Sequence, residues 1–107
     1  MRTVATGAAL LLAIVAPLHA HADTTKASCE VVQEGKEKKH ATGPCTFSQR
    51  QGYVDIELSN GITHKFSPDD KPNHFHDAEG HAVVRTVKGN VQTYQLEGKR
   101  IIVTFDQ

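Results

Sequence analysis

From residue 27 onward apolar and polar residues alternate with a period of two in several windows, and the 3.6-residue apolar period of an amphipathic helix is missing. In "YVDIELS" (53–59), Val54, Ile56 and Leu58 share one face and Tyr53, Asp55 and Glu57 the other; in "ITHKF" (62–66), Ile62, His64 and Phe66 fall together. Asn60-Gly61 lies between the two runs and is a common two-residue hairpin turn. A two-residue turn, however, sets Glu57 against His64 and mixes the two faces. A three-residue loop Ser59-Asn60-Gly61, with Gly61 as a left-handed bulge, instead sets Ile56 against His64, Val54 against Phe66 and Asp55 against Lys65, so the pattern predicts the longer loop.

The last third predicts a three-strand meander. A turn at Gly89-Asn90 places Arg85 opposite Tyr94 and Val87 opposite Gln92, and a turn at Gly98-Lys99 places Leu96 opposite Ile101 and Tyr94 opposite Val103, with Glu97 free to pair with Arg100. One face then collects Val83, Val87, Tyr94, Leu96, Ile101, Val103 and Phe105, while Arg85 lays its stem beside Tyr94 and sends its head outward. With "SCEVVQ" and "CTFSQ" near the N-terminus the count is about seven strands. This is an all-β chain: a small antiparallel meander curling into a barrel or half-barrel, which buries one face while limiting exposed edges.

Residues 1–22 have the layout of a secretory signal: Arg2, an apolar run over 8–16, Pro17, and the small-x-small site Ala20-His21-Ala22. The run is shorter than the ~20 residues needed to span a bilayer, and Cys29 is preceded by Lys26-Ala27-Ser28, not by a lipoprotein cleavage motif. The expectation is a single exported domain over 23–107, periplasmic or secreted, with no stable membrane anchor. Twelve basic and twelve acidic residues leave no basic patch for nucleic acid, and the interrupted run Lys36-Glu37-Lys38-Lys39-His40 reads as part of a solvated, mobile loop over 34–44. Two cysteines remain in a chain bound for an oxidising compartment. Cys29 and Cys45 are expected to form a disulfide closing about 15 residues, worth about 3 kcal/mol in the chain-entropy model. Their spacing is not that of a CxxC redox or zinc motif.

The stretch "HFHDAEGH" at 74–81 carries the densest chemistry. Asp77 and Gly80 suit the first and last positions of a four-residue turn. With "DAEG" as that turn, His76 lies opposite His81, and His74 points the same way ~6.5 Å along the strand. His74, His76 and His81 could then hold zinc or copper, with Asp77 or Glu79 as a fourth ligand or a supporting acceptor. The simpler reading of the same residues is a polar surface turn anchored by Phe75. The preceding "SPDDKPN" reads as a loop with Asp69 and Asp70 solvated. His64, on the inward face, is either a hydrogen-bonded core histidine or a buried ligand. No nucleophile elbow, phosphate loop or HExxH helix is present, so the chain is read as a non-enzymatic module that binds a periplasmic protein partner, with a metal-binding protein as the alternative.

"YQLEGKRIIV" at 94–103 resembles the aromatic-then-glycine-lysine turn of periplasmic C-type lysozyme inhibitors. The resemblance covers about the last quarter of the chain. It implies a small exported antiparallel β protein and marks Lys99 as the position for contact with a partner. The family's serine-glycine loop motif is not recognisable here, and a Cys29–Cys45 bond differs from a pairing to a late cysteine.

Overall fold

The structure, a computed structural model, describes residues 23–35 and 39–106. The signal segment 1–22 and the charged residues 36–38 lie outside that range. Eight strands follow in order: β1 (Asp23–Gln33), β2 (Lys39–Arg50), β3 (Tyr53–Leu58), β4 (Thr63–Pro68), β5 (His74–His76), β6 (Ala82–Lys88), β7 (Val91–Leu96) and β8 (Lys99–Phe105). Each pairs antiparallel with the next, and β8 returns to β1, so the meander closes into a barrel. Closure gives both end strands a partner, which a half-barrel would leave open. No helix among the described residues is long and apolar enough to cross a membrane.

The eighth strand, beyond the seven expected, is β5: three residues with Phe75 as its one inward side chain, too short to show a period. The N-terminal hairpin also differs from expectation. Residues 39–44, expected in a mobile loop, belong to β2 and pair with β1, for example Glu30 with Thr42 and Val32 with His40. This segment runs past the start of the β2–β3 ladder at Cys45–Leu58, and residues 40–44 are exposed or half-buried, so they need no apolar alternation. Its strand conformation comes from the ladder, which local polarity does not reveal.

The inward faces meet in one core. Ile56, Phe66, Tyr94, Ile101 and Val103 have 0–1% of their surface exposed, with Phe66 stacked on Tyr94 at 5.5 Å between centroids and Phe75 tilted against both. Cys29 and Cys45 are bonded and buried on the β1–β2 wall. The β3–β4 hairpin has the expected register, Val54–Phe66, Asp55–Lys65 and Ile56–His64. Leu58 N–H donates to Ile62 O (2.8 Å), and Gly61 sits at φ +91°, a conformation that favours glycine. Lys65 reaches Asp55 at 3.2 Å on the exposed face, a contact worth at most about 1 kcal/mol.

Arg85 faces Tyr94 and Val87 faces Gln92, as the alternation required. The next turn is displaced: it is Glu97-Gly98, with Leu96 opposite Lys99 and Tyr94 opposite Ile101. A slide of two residues leaves every side chain on its own face, so the pleat cannot distinguish the two registers. Val87 is on the inward parity but 53% exposed, because β6 has run past the packed core there. The head of Arg85 does not leave for solvent: its guanidinium lies 4.9 Å above the Phe75 ring and its Nε–H donates to Asn73 Oδ1 at 2.8 Å.

Candidate functional site

In an up-and-down barrel alternate hairpins share an end, so the loops after β1, β3, β5 and β7 gather together. At that end the wall is incomplete. β4 pairs with β3 along Thr63–Phe66, but with β5 only at Ser67 and Pro68. Beside Thr63–Phe66 the described residues consequently place no strand on the β5 side, and an open cavity of about 540 Å³ lies there, lined by His64, Asp77, Glu79, His81, Glu97 and Lys99 among others.

The backbone orientation along this edge follows from the hydrogen bonds at either end of β4. Ile62 O accepts from β3, whereas Asp69 N–H donates toward β5. Alternate residues aim their amide groups to opposite sides, so Thr63 and Lys65 turn N–H and C=O into the cleft. The described residues place no strand opposite them.

The far wall is the loop 77–81. Asp77 N–H donates to His81 O (2.9 Å) and Gly80 N–H to Asp77 O (3.0 Å), while Asp77 Oδ1 accepts from the N–H groups of Glu79 and His81, both at 2.9 Å. Gly80 sits at φ +88°. The turn chemistry expected of "DAEG" is present, but the register is not the expected one: Asp77, not His76, lies opposite His81, and His76 pairs with Ala82. With Gly80 in the left-handed region, as Gly61 is between β3 and β4, the loop is Ala78-Glu79-Gly80, one residue shorter than expected, and one residue reverses the face. His74 and His76 therefore flank the inward Phe75 on the outer surface, and His76 Nδ1 lies 2.7 Å from Asp69 Oδ1, so Asp69 is more than a solvated turn residue. The three histidines do not converge.

Of the three, only His81 meets the two expected carboxylates. Asp77, Glu79 and His81 each place a ligand atom within 4.8 Å of the other two. His81 Nδ1 is 3.5 Å from Asp77 Oδ2 and 3.6 Å from Glu79 Oε1, and its Nε2 is 3.9 Å from Glu97 Oε1. Partial desolvation pushes the Asp77 carboxyl up, but the His81 and Glu79 amides and the adjacent imidazole together hold it below the ordinary carboxylate range. His64 is shifted in the same direction, for a different reason. Burial, then the Lys99 ammonium, push its ring down against the opposing pull of Asp77, so it presents a neutral imidazole to the cleft.

Lys99 and the acidic loop, from separate parts of the chain, thus line one cavity. Glu97 and the β4 edge were not anticipated as site features. Glu97 was expected to pair with Arg100 across the turn; the displaced turn makes Glu97 a turn residue and carries it toward His81. A purely topological signal existed for this neighbourhood, since β6 and β7 are adjacent and the loops preceding and following them share one end. Compared with known protein families, curated proteins and solved structures, the chain matches none.

Proposed function

We propose that the protein is a small exported, non-enzymatic binding module that engages a protein partner through the cleft between β4 and the β5–β6 loop. The observation that carries the reading is the edge of β4: the amide groups of Thr63 and Lys65 face a cavity with no strand opposite them among the described residues. An extended segment of a partner can add main-chain hydrogen bonds to such an edge, and the surrounding side chains supply selectivity. Lys99, with Glu97 and His64, lines the same cavity and offers charged and hydrogen-bonding contacts to it. Export is read from the signal layout and fits the Cys29–Cys45 disulfide.

The resemblance of 94–103 to the C-type lysozyme inhibitors makes a C-type lysozyme the partner class to test. Calorimetric titration of the mature chain into such a lysozyme is expected to give a saturable 1:1 complex, weakened at least tenfold by Lys99→Ala and unchanged by His76→Ala on the outer face. No saturable complex, or equal affinity for the Lys99→Ala variant, overturns the reading.

A further inference from the structure

The geometry points to a divalent transition-metal site, zinc or copper, on the rim of the cleft, with Asp77, Glu79 and His81 as its ligands and Glu97 as the acceptor that orients the imidazole. This site lies on the same cleft wall proposed for partner binding, and it differs from the three-histidine arrangement that the alternation suggested.

The separations fit a shared ion. At 3.5 and 3.6 Å, the contacts of His81 Nδ1 with Asp77 Oδ2 and Glu79 Oε1 are too long for good hydrogen bonds. They match a shared ion: zinc holds nitrogen and oxygen at about 2.1 Å, so neighbouring ligands of a tetrahedral centre lie about 3.4 Å apart. The donor set, one imidazole and two carboxylates, suits a borderline cation. Three protein ligands leave the fourth position to water or an incoming group, the pattern of an open site.

The supporting groups are also in place. Two backbone N–H groups fix Asp77 through Oδ1 and leave Oδ2 turned toward His81. On the other side of the ring, Glu97 Oε1 lies 3.9 Å from Nε2, where a modest side-chain rotation completes the carboxylate–imidazole contact that sets the tautomer of a metal-bound histidine. Asp77, Glu79 and His81 all come from the β5–β6 loop, so an ion here would stiffen that loop, and the β7–β8 turn would join it only through the contact of Glu97 with His81.

The test is titration of the mature chain with zinc by calorimetry, alongside cobalt(II) as a spectroscopic substitute. One equivalent is expected to bind, with the intense visible absorption of low-coordinate cobalt. His81→Ala and Glu79→Gln should each lower affinity at least tenfold; both side chains are exposed and the backbone bonds of the loop do not use them. Glu97→Gln should weaken binding about tenfold, whereas His76→Ala and His40→Ala leave it unchanged. No saturable uptake, uptake that survives His81→Ala and Glu79→Gln, or loss in His76→Ala overturns the assignment. No partner protein is present in this titration, so its failure is distinct from failure of the partner reading.

Discussion

At the barrel end that carries the 51–52, 69–73 and 89–90 connections, inward polar groups meet partners at short range. Arg85 bonds Asn73 at 2.8 Å while covering Phe75, the Tyr94 hydroxyl donates to Gln92 Oε1 at 2.6 Å, and Asn90 Nδ2 donates to the Phe105 carbonyl at 2.6 Å. At the opposite end, His81 stands 3.5 to 3.9 Å from three carboxylates, His64 faces a cavity, and two backbone positions of β4 have no strand beside them. The first end is finished as a stable lid on the aromatic core. The second keeps polar groups arranged around a space, which is what a ligand or partner requires and what stability alone does not.

The largest effect should come from the core beneath the finished end. Phe75 is 4% exposed and touches Phe66, Tyr94 and the Arg85 head. Phe75→Ala should destabilise by about 3–5 kcal/mol in urea unfolding, through lost burial and the cavity left behind. A loss under about 1 kcal/mol would mean the short β5 strand does not anchor this wall.

A paired comparison tests the ends directly. Arg85→Ala removes a cation–aromatic contact and a side-chain hydrogen bond, an expected loss of about 1–2 kcal/mol. Glu97→Gln, at an exposed position of the open end, should change stability by less than about 0.5 kcal/mol. Similar losses for the two variants would erase the distinction drawn between the ends.

The smallest effect is one of pH. The folded state holds the His64 ring below its ordinary value of 6.5, so the unfolded chain takes up this proton first. His64 therefore contributes no pH dependence well above about pH 6.5, and it lowers stability progressively as pH falls below that value. Urea midpoints at pH 7.5 and pH 5 should differ more for the wild type than for His64→Gln. An equal difference would mean that the imidazole is as easily protonated in the cleft as in the open chain.

How far each feature was legible depends on whether a one-residue error changes a side chain's face. In the β3–β4 hairpin both strands alternate clearly, so mismatched faces exposed the two-residue turn as wrong and the Gly61 bulge followed. In "HFHDAEGH" the strand is three residues long and its histidines are tolerated outside or at the rim. Nothing in the pattern penalised reading Gly80 as the end of a four-residue turn, and His76 was placed on the same face as His81 when the register sets them on opposite faces. At 97–99 the error was two residues, invisible to the pleat, yet it moved Glu97 from a pairing with Arg100 to the neighbourhood of His81.

The sequence by itself determined the all-β class, the Cys29–Cys45 pair, the β3–β4 register and most of the residues that form the inward face, because each follows from local alternation, turn chemistry or the presence of two cysteines. Only the tertiary structure decided that β8 closes on β1, that residues 39–44 are strand, and that His64, Asp77, Glu79, His81, Glu97 and Lys99 share one cavity. Those outcomes depend on which loops share a barrel end and on where one ladder stops short of its neighbour. Both are set by pairing between segments distant in the chain, which a periodicity within one segment does not encode.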